Sequence, residues 1–278
     1  FARSNIAGIF VNRQAFNNTE LVHNDYNRIA GMDFNLASKD NKWRGKIFYH
    51  YSFTSDNLPN SSANASWLLY STKNVFFMWN HEYVSKNYTA DVGFVPRNTT
   101  FNPDSGKYFK QTYWRLEPKV QYKFYPKSSI INYHGPAIYS NDYFDEGFKT
   151  TDYFIMSQYI VNFLNTSEFQ FHYHEFYTKL FFDTDITFSE GNPIPKGEHY
   201  YRNAMMKYQS DKRKRFYYSL LLKYGTYYLK DGTQLTYKAE LTYRKQPWGI
   251  FSLNFSMNEL RMPEPYSSAY IAIIGTKI

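Results

Sequence analysis

The feature that most constrains this chain is a strict alternation of apolar and polar residues along long stretches. The alternation is clearest in four windows, which are residues 30–36, 43–53, 114–124 and 235–244. Successive side chains of a β-strand point to opposite faces, so each window predicts a strand with one apolar and one hydrophilic face. In a helix the same residues would spread charge around the whole cylinder. The sequence therefore predicts an all-β fold with long strands.

The connections between these strands provide a second signal. We expect about 14 strands, joined alternately by short turns and longer loops. The short turns fall at residues 39–42, 73–74, 125–128, 165–167, 210–214 and 246–247, and the longer loops at 14–25, 55–64, 86–107, 140–151, 183–199 and 258–267. Residues 230–232, with the sequence Lys-Asp-Gly, instead indicate a tight hairpin. This organisation is typical of an antiparallel, up-and-down transmembrane β-barrel, here forming one domain over residues 1–278.

The composition agrees with strands that are apolar on one face only. Aromatic residues make up 21% of the 278 residues, which excludes a disordered chain. A mean hydropathy of −0.62 excludes a membrane protein built from helices. The absence of cysteine excludes a disulfide framework and thiolate metal sites. The formal net charge is +8, and the charged residues are scattered singly apart from one basic run at residues 212–215, which we interpret as a solvated turn. We therefore expect no nucleic-acid partner.

A bilayer suits this pattern because a closed antiparallel sheet pairs every backbone N–H and C=O within hydrocarbon. The apolar face would contact membrane lipid and lipopolysaccharide, and the expected location is the bacterial outer membrane. The hydrophilic positions expected to line the lumen are Asp33, Asn35, Arg44, Lys46, His50, Arg115, Glu117, Lys119, Lys123, Lys238, Glu240 and Arg244. Their mixed charges fit a salt-bridged lumen as well as a transport path.

The connection at residues 86–107 is too long for an ordinary loop and contains an apolar segment. One hypothesis is that it folds into the lumen as a constriction formed by Gly93, Phe94, Pro96 and Arg97. In that case Arg97 would help to set charge selectivity. The alternative is that the loop extends the barrel wall above the membrane. The sequence leaves both interpretations open.

Signals for catalysis or cofactor binding are weak. His172 and His174 lie two residues apart on one predicted strand face, but a third metal ligand is missing nearby. We interpret them as histidines that face the lumen or lie near a loop. No phosphate-binding loop or nucleophile motif is present. We therefore expect no metal, no cofactor and no catalytic residue in this segment.

Three segments together resemble a known family. They are residues 3–13 (Arg-Ser-Asn-Ile-Ala-Gly-Ile-Phe-Val-Asn-Arg), residues 30–36 (Ala-Gly-Met-Asp-Phe-Asn-Leu) and residues 92–97 (Val-Gly-Phe-Val-Pro-Arg). They resemble an uncharacterised family of Bacteroidota envelope proteins in which a module similar to family 9 carbohydrate-binding modules precedes a membrane-barrel region. The resemblance covers essentially the whole chain, within the barrel region only. It implies a chain truncated at both ends, part of a larger barrel, without the carbohydrate-binding module.

Two classes of function follow. The favoured class is a non-catalytic outer-membrane barrel, either porin-like or binding and docking a substrate, with a link to glycan handling. Other outer-membrane proteins and glycans are its expected partners. A barrel whose lumen is filled by long side chains would instead serve as an inert anchor. The alternative class is a soluble or surface-attached β protein that binds or hydrolyses carbohydrate through aromatic platforms.

Overall fold

The chain is an all-β protein, as the alternation predicts. A computed structural model describes residues 3–93, 95, 97–103, 105–187, 191–245 and 247–277. Strands account for 69% of the structure, and the described residues contain no helix. No helix of sufficient length and apolar character to cross a membrane occurs among those residues. Strands other than β6 and β7, whose bounds follow, belong to one antiparallel sheet of 15 strands.

The contacts of the chain divide it into two compact units. The first contains Phe1–Lys119 and Asn141–Thr151, and the second contains Val120–Ser140 and Asp152–Ile278. The strands in chain order are β1 (Asn5–Asn17), β2 (Glu20–Ala37), β3 (Trp43–Thr54), β4 (Ser62–Ser71), β5 (Val75–Val84), β6 (Thr99–Asn102), β7 (Lys107–Lys110), β8 (Tyr113–Leu116), β9 (Lys119–Tyr122), β10 (Ile131–Phe144), β11 (Thr150–Phe163), β12 (Glu168–Leu180), β13 (Gly197–Gln209), β14 (Phe216–Tyr227), β15 (Leu229–Lys245), β16 (Gly249–Arg261) and β17 (Ala269–Lys277).

Within each unit the strands meander. In the first unit the order is β1-β2-β3-β4-β5-β8, and β8 then pairs with residues 142–144 of β10. In the second unit the strands from β11 to β17 pair in chain order. Each strand therefore lies beside its neighbour in sequence, apart from the excursion between β5 and β8 and from β9, which pairs with β10 rather than with β8. That excursion contains a separate hairpin of β6 and β7.

The described residues form 17 strands, whereas about 14 were expected, and the difference has two causes. The window at residues 114–124 was expected to be one strand, but it is interrupted between β8 and β9. Pro118 lies in the interruption and lacks the N–H that a ladder requires. The loop expected at residues 86–107 contains β6, and β7 begins at its last residue, Lys107. The sequence pattern did not indicate these two strands.

Three connections also differ from the predictions. The long loop expected at residues 140–151 is a short turn, because β10 continues to Phe144 and β11 begins at Thr150. Residues 14–25 do not form a long loop, because β1 and β2 continue to a tight turn at Asn18, whose φ is 54°. Asn tolerates this left-handed conformation better than most residues. The hairpin between β14 and β15 does not turn at residues 230–232, where the Lys-Asp-Gly sequence predicted it. The chain reverses at Tyr228, whose φ is 52°, and Gly232 instead allows close approach to the carbonyl oxygen of Tyr227.

Carboxylates hold two of the short turns. Hydrogen bonds from the Ser38 hydroxyl and from Lys42 lower the pKa of Asp40 to about 2. In a later turn, Asp211 accepts two hydrogen bonds from the Arg213 guanidinium, at 2.9 and 3.0 Å. Asp211 also accepts a hydrogen bond of 2.8 Å from the Thr166 hydroxyl of the preceding turn. These contacts, with that of Arg213 the largest, lower the pKa of Asp211.

The two faces of the strands have an inverted pattern of burial. Large apolar side chains are exposed along both units, for example Met32 at 65% and Met206 at 51%. Polar side chains such as Ser52, His174 and Thr242 are buried, and among the described residues buried polar side chains outnumber buried apolar ones. A water-soluble protein has the opposite distribution.

Candidate functional site

The hydrophilic face of the first unit is defined by a row of register partners. Asp33, Phe48, Ala65, Glu82 and Arg115 are successive partners across β2, β3, β4, β5 and β8. Directly paired residues of antiparallel strands lie on the same face, so these side chains share one surface. The next row towards the short turns contains Asn35, Lys46, Trp67 and Asn80.

One charged cluster on this face is centred on Asp33. The Lys46 ammonium lies 2.6 Å from one carboxylate oxygen of Asp33, and Nε2 of His50 lies 3.1 Å from the other. The amide of Asn35 hydrogen-bonds to Asn5 at 2.8 Å. Four of the predicted lumen residues therefore lie close together here. Their charges are largely compensated within the cluster.

A second charged cluster is centred on Arg115. Its guanidinium lies 2.8 Å from Glu117 and 3.7 Å from Glu82, and its Nε donates a hydrogen bond to Asn141. Asn80 donates to Glu117 at 2.8 Å, and the Tyr113 hydroxyl donates to Glu82 at 2.6 Å. Arg115 and Glu117 were expected on this face. Asn80, Glu82 and Tyr113 were missed, although Asn80 and Glu82 stand two apart on one face of β5, whose other residues apart from His81 are apolar.

The long connection after β5 packs on this hydrophilic face. Tyr88 is buried with Ile29, Ala63, Val84 and Tyr113, and Ala90 and Val95 pack against the same cluster. Its backbone is also held, because the Asn27 amide donates to the Thr89 carbonyl at 2.9 Å and accepts from the Asp91 N–H at 3.2 Å. Arg13 forms an ion pair with Asp91 at 3.2 Å. Residues 88–91 therefore lie against the sheet.

Arg97 lies further along the same connection and contacts an aromatic ring. Its guanidinium carbon lies 3.9 Å from the ring centroid of Tyr143, and that of Arg115 lies 5.7 Å from the same centroid. Arg97 has a φ of 62°, an uncommon conformation for a residue other than glycine. Gly93 donates a backbone hydrogen bond to the carbonyl of Ala90. Phe94 and Pro96, the other expected constriction residues, lie outside the described residues.

The hydrophilic face of the second unit contains the histidine pair. His172 and His174 lie on one face of β12 and are both buried. His172 has ring-nitrogen contacts to Met156 at 3.1 Å and to Gln170 at 2.9 Å, and Nδ1 of His174 hydrogen-bonds to Asn203 at 2.8 Å. No group of three or more metal-binding side chains occurs in the part of the chain that the structure describes. Both rings are thus held by protein neighbours.

The remaining predicted lumen residues are dispersed. Lys119 lies 5.8 Å from the ring centroid of Phe76 in the first unit. In the second unit, Lys123 lies 5.0 Å from that of Tyr133, and Arg244 lies 5.6 Å from that of Tyr217. Arg44 is exposed beside a short turn, and Glu240 is paired in register with Ser219 and Asn254. Lys238 lines a pocket of the second unit together with Lys223 and Phe154.

A pocket in the second unit lies near the start of β13 and the turn between β14 and β15. Its volume is about 750 Å³, and its walls include Tyr153, Glu198, Tyr200, Tyr201 and Tyr228. Tyr201 and Tyr228 stack with centroids 5.0 Å apart. The sequence pattern does not indicate this pocket, because its tyrosines come from two strands, β11 and β13, and from the turn at Tyr228.

Comparison with known proteins provides no relative for this chain. No family model matches it, and no curated protein or solved structure matches it. The resemblance described from residues 3–13, 30–36 and 92–97 therefore stays a prediction.

Proposed function

We propose that this chain is a transmembrane β-barrel of the bacterial outer membrane that admits or binds small solutes through a hydrophilic lumen. In this proposal the apolar faces of both units contact lipid and lipopolysaccharide. The hydrophilic faces line the lumen, and the segment carries no catalysis of its own. Docking of glycans or of other outer-membrane proteins would occur at the long connections.

The observation that carries this proposal is the inverted burial of the strands. Burying apolar area stabilises a protein by roughly 25 cal/mol per Å², so extensive exposed apolar rows are costly in water. Side chains such as Ile47, Leu222 and Tyr224 lie in such rows, between 46% and 59% exposed. Hydrocarbon removes that cost, whereas the satisfied hydrogen bonds on the opposite face suit a hydrated interior.

The connection after β5 has the features of a constriction in this proposal. It packs against the hydrophilic face through Tyr88 and Asn27, and it brings Arg97 to the ring that Arg115 also approaches. The positive charge of Arg97 offsets the carboxylates of Glu82 and Glu117, which lie beside Arg115, and would make a narrow pathway more favourable for anions. Replacement of Arg97 by Ala should therefore reduce anion preference in planar bilayers. Unchanged conductance and ion preference would contradict this role.

Detergent-refolded protein tests the proposal as a whole. A barrel should migrate faster on mildly denaturing gels before heating than after it, and should make liposomes permeable to small sugars. Soluble expression without detergent, with no heat-dependent shift in migration, would contradict the proposal.

The tyrosine-lined pocket of the second unit favours glycan binding as a second candidate function. Tyr153, Tyr200, Tyr201 and Tyr228 offer ring faces and hydroxyl groups around one concave surface. Aromatic rings with polar edges suit a ligand that is partly apolar and partly hydrogen-bonding. Titration with neutral oligosaccharides tests this candidate, and Tyr201→Ala should abolish any binding observed. Equal binding by the variant would contradict it.

A further inference from the structure

A pocket on the hydrophilic face of the second unit combines lysines with an aromatic wall. Its volume is about 350 Å³, and its walls include Phe154, His174, Phe176, Lys223 and Lys238. It lies on the face opposite to the exposed apolar row of Leu220, Leu222 and Tyr224. The pocket is distinct from the tyrosine-lined one, with which it shares only Phe176.

The register concentrates positive charge at this pocket. Lys223 is the partner of both Met205 and Thr236, and Leu221 is the partner of both Lys207 and Lys238. The three lysines therefore surround Leu221 in two adjacent rows of one face, at separations that long side chains can span. None of them forms an ion pair with a carboxylate within the described ranges. On the hydrophilic face of the first unit, by contrast, Lys46 is paired with Asp33, and Arg115 with Glu82 and Glu117.

The wall of the pocket is fixed by the protein itself. The rings of Phe154 and Phe176 stack with centroids 4.9 Å apart, and that of His174 lies 5.2 Å from Phe154. His174 is hydrogen-bonded to Asn203, and the Thr236 hydroxyl donates to Asn258 at 2.8 Å. An apolar wall in a fixed position beside a few convergent charges is the usual arrangement of a small-molecule site.

We propose that this pocket binds a small organic anion, with its carboxylate between Lys223 and Lys238 and its ring against Phe154 and Phe176. Neighbouring ammonium groups repel each other, and a bound anion relieves that repulsion while accepting hydrogen bonds from both. The ring of the ligand would replace water against the two phenylalanines. This inference deepens the proposed function, on which it rests, because it names the class of solute that the lumen would take.

Isothermal titration of detergent-refolded protein with benzoate tests the pocket. Benzyl alcohol, which has the ring without the charge, and inorganic phosphate, which has the charge without the ring, should each bind at least about tenfold more weakly. The double variant Lys223→Gln/Lys238→Gln should lose at least about tenfold in benzoate affinity, since it removes both charge-assisted hydrogen bonds to the carboxylate. Lys212→Gln/Lys214→Gln makes the same change of charge in an exposed turn and should bind as the wild type does.

Three results would overturn the inference: wild-type affinity in the double variant, equal binding of benzyl alcohol, or equal binding of phosphate. Lys238 is exposed, so Lys238→Gln alone should fold normally and still weaken binding. The heat-dependent gel shift separates the two proposals. A shift without benzoate binding would contradict only this site, and benzoate binding without a shift would contradict the barrel.

Discussion

Individual residues on the hydrophilic faces are held by specific partners. Asp33 is paired with Lys46 and His50, and Arg115 with Glu117. Among the described residues, no buried side-chain nitrogen or oxygen lacks a hydrogen-bond partner. Unpaired buried polar groups cost roughly 1–3 kcal/mol each, so these pairings stabilise the side chains in defined positions. Changes at single positions on this face should therefore have measurable costs.

Gly31 is a position where even one added methyl group should disturb the Asp33 cluster. A Cβ at this position would lie 2.2 Å from Cδ2 of His50 and 2.6 Å from the carbonyl oxygen of Tyr49. Gly31→Ala should displace His50 from Asp33 and reduce the free energy of unfolding by about 1–3 kcal/mol. Urea denaturation of the protein in detergent micelles measures this change.

Gly275 in β17 provides the matched control. A Cβ there meets nothing within 4 Å, so Gly275→Ala should change stability by less than about 0.5 kcal/mol. Equal stability of the two variants would contradict the packing described for His50.

At the scale of elements, the connection after β5 is unusual because it packs against the sheet. Its apolar residues pack on the hydrophilic face of the first unit, where Tyr88 is buried among Ile29, Ala63 and Val84. Burial raises the pKa of the Tyr88 hydroxyl. A few side chains of the sheet hold the connection after β5 in place, and one of them, Asn27, is almost fully buried.

Asn27→Ala should release this connection. The variant loses both hydrogen bonds between Asn27 and residues 89 and 91, worth about 1–2 kcal/mol together. The open population should then rise by a factor of about 5–30, with tryptic cleavage at Arg97 accelerated accordingly. Asn35→Ala removes an amide pair with Asn5 on the same face and is the control. Equal cleavage rates in both variants would contradict the anchoring role of Asn27.

The turn that contains Asp211 should make stability depend on pH. Its contacts with Arg213 and Thr166 hold the folded-state pKa below the usual value of about 3.9. The ionised carboxylate therefore stabilises the fold above about pH 4, and this contribution is lost as pH falls through the folded-state pKa.

Asp211→Asn should consequently lower the urea midpoint at pH 6. Its deficit relative to the wild type should shrink as pH falls below about 4. Asp56→Asn changes an exposed loop carboxylate and serves as the control. A deficit that stays constant from pH 6 to pH 2.5 would contradict the assignment.

The elements show how far the sequence pattern can be used. Alternation located the faces of β2, β3 and β15 well, because exposure of one apolar row is a local property of the strand. It did not locate the turn at Tyr228, since an Asp-Gly pair is a weaker constraint than the register of β14 and β15. It also missed Glu82 and Lys223. Their significance depends on cross-strand partners, which no single strand reveals.

At the scale of the whole molecule, the proposed barrel requires that the apolar faces of the strands contact lipid. The all-β fold is established, whereas the membrane location and the lumen are proposals. Met205 and Met206 are neighbours in β13 on opposite faces, with Met205 in the anion pocket and Met206 in the exposed apolar row. The chain contains no cysteine, so a single label can be placed at either position.

The most direct measurement is the collision of a nitroxide with oxygen and with a water-soluble nickel chelate in proteoliposomes. Met205→Cys and Met206→Cys, each labelled, differ by one residue along the same strand. We expect the label at 206 to collide mainly with oxygen, which concentrates in lipid, and the label at 205 to collide mainly with the nickel chelate. Preferential collision of the label at 206 with the chelate would contradict a lipid-facing apolar row.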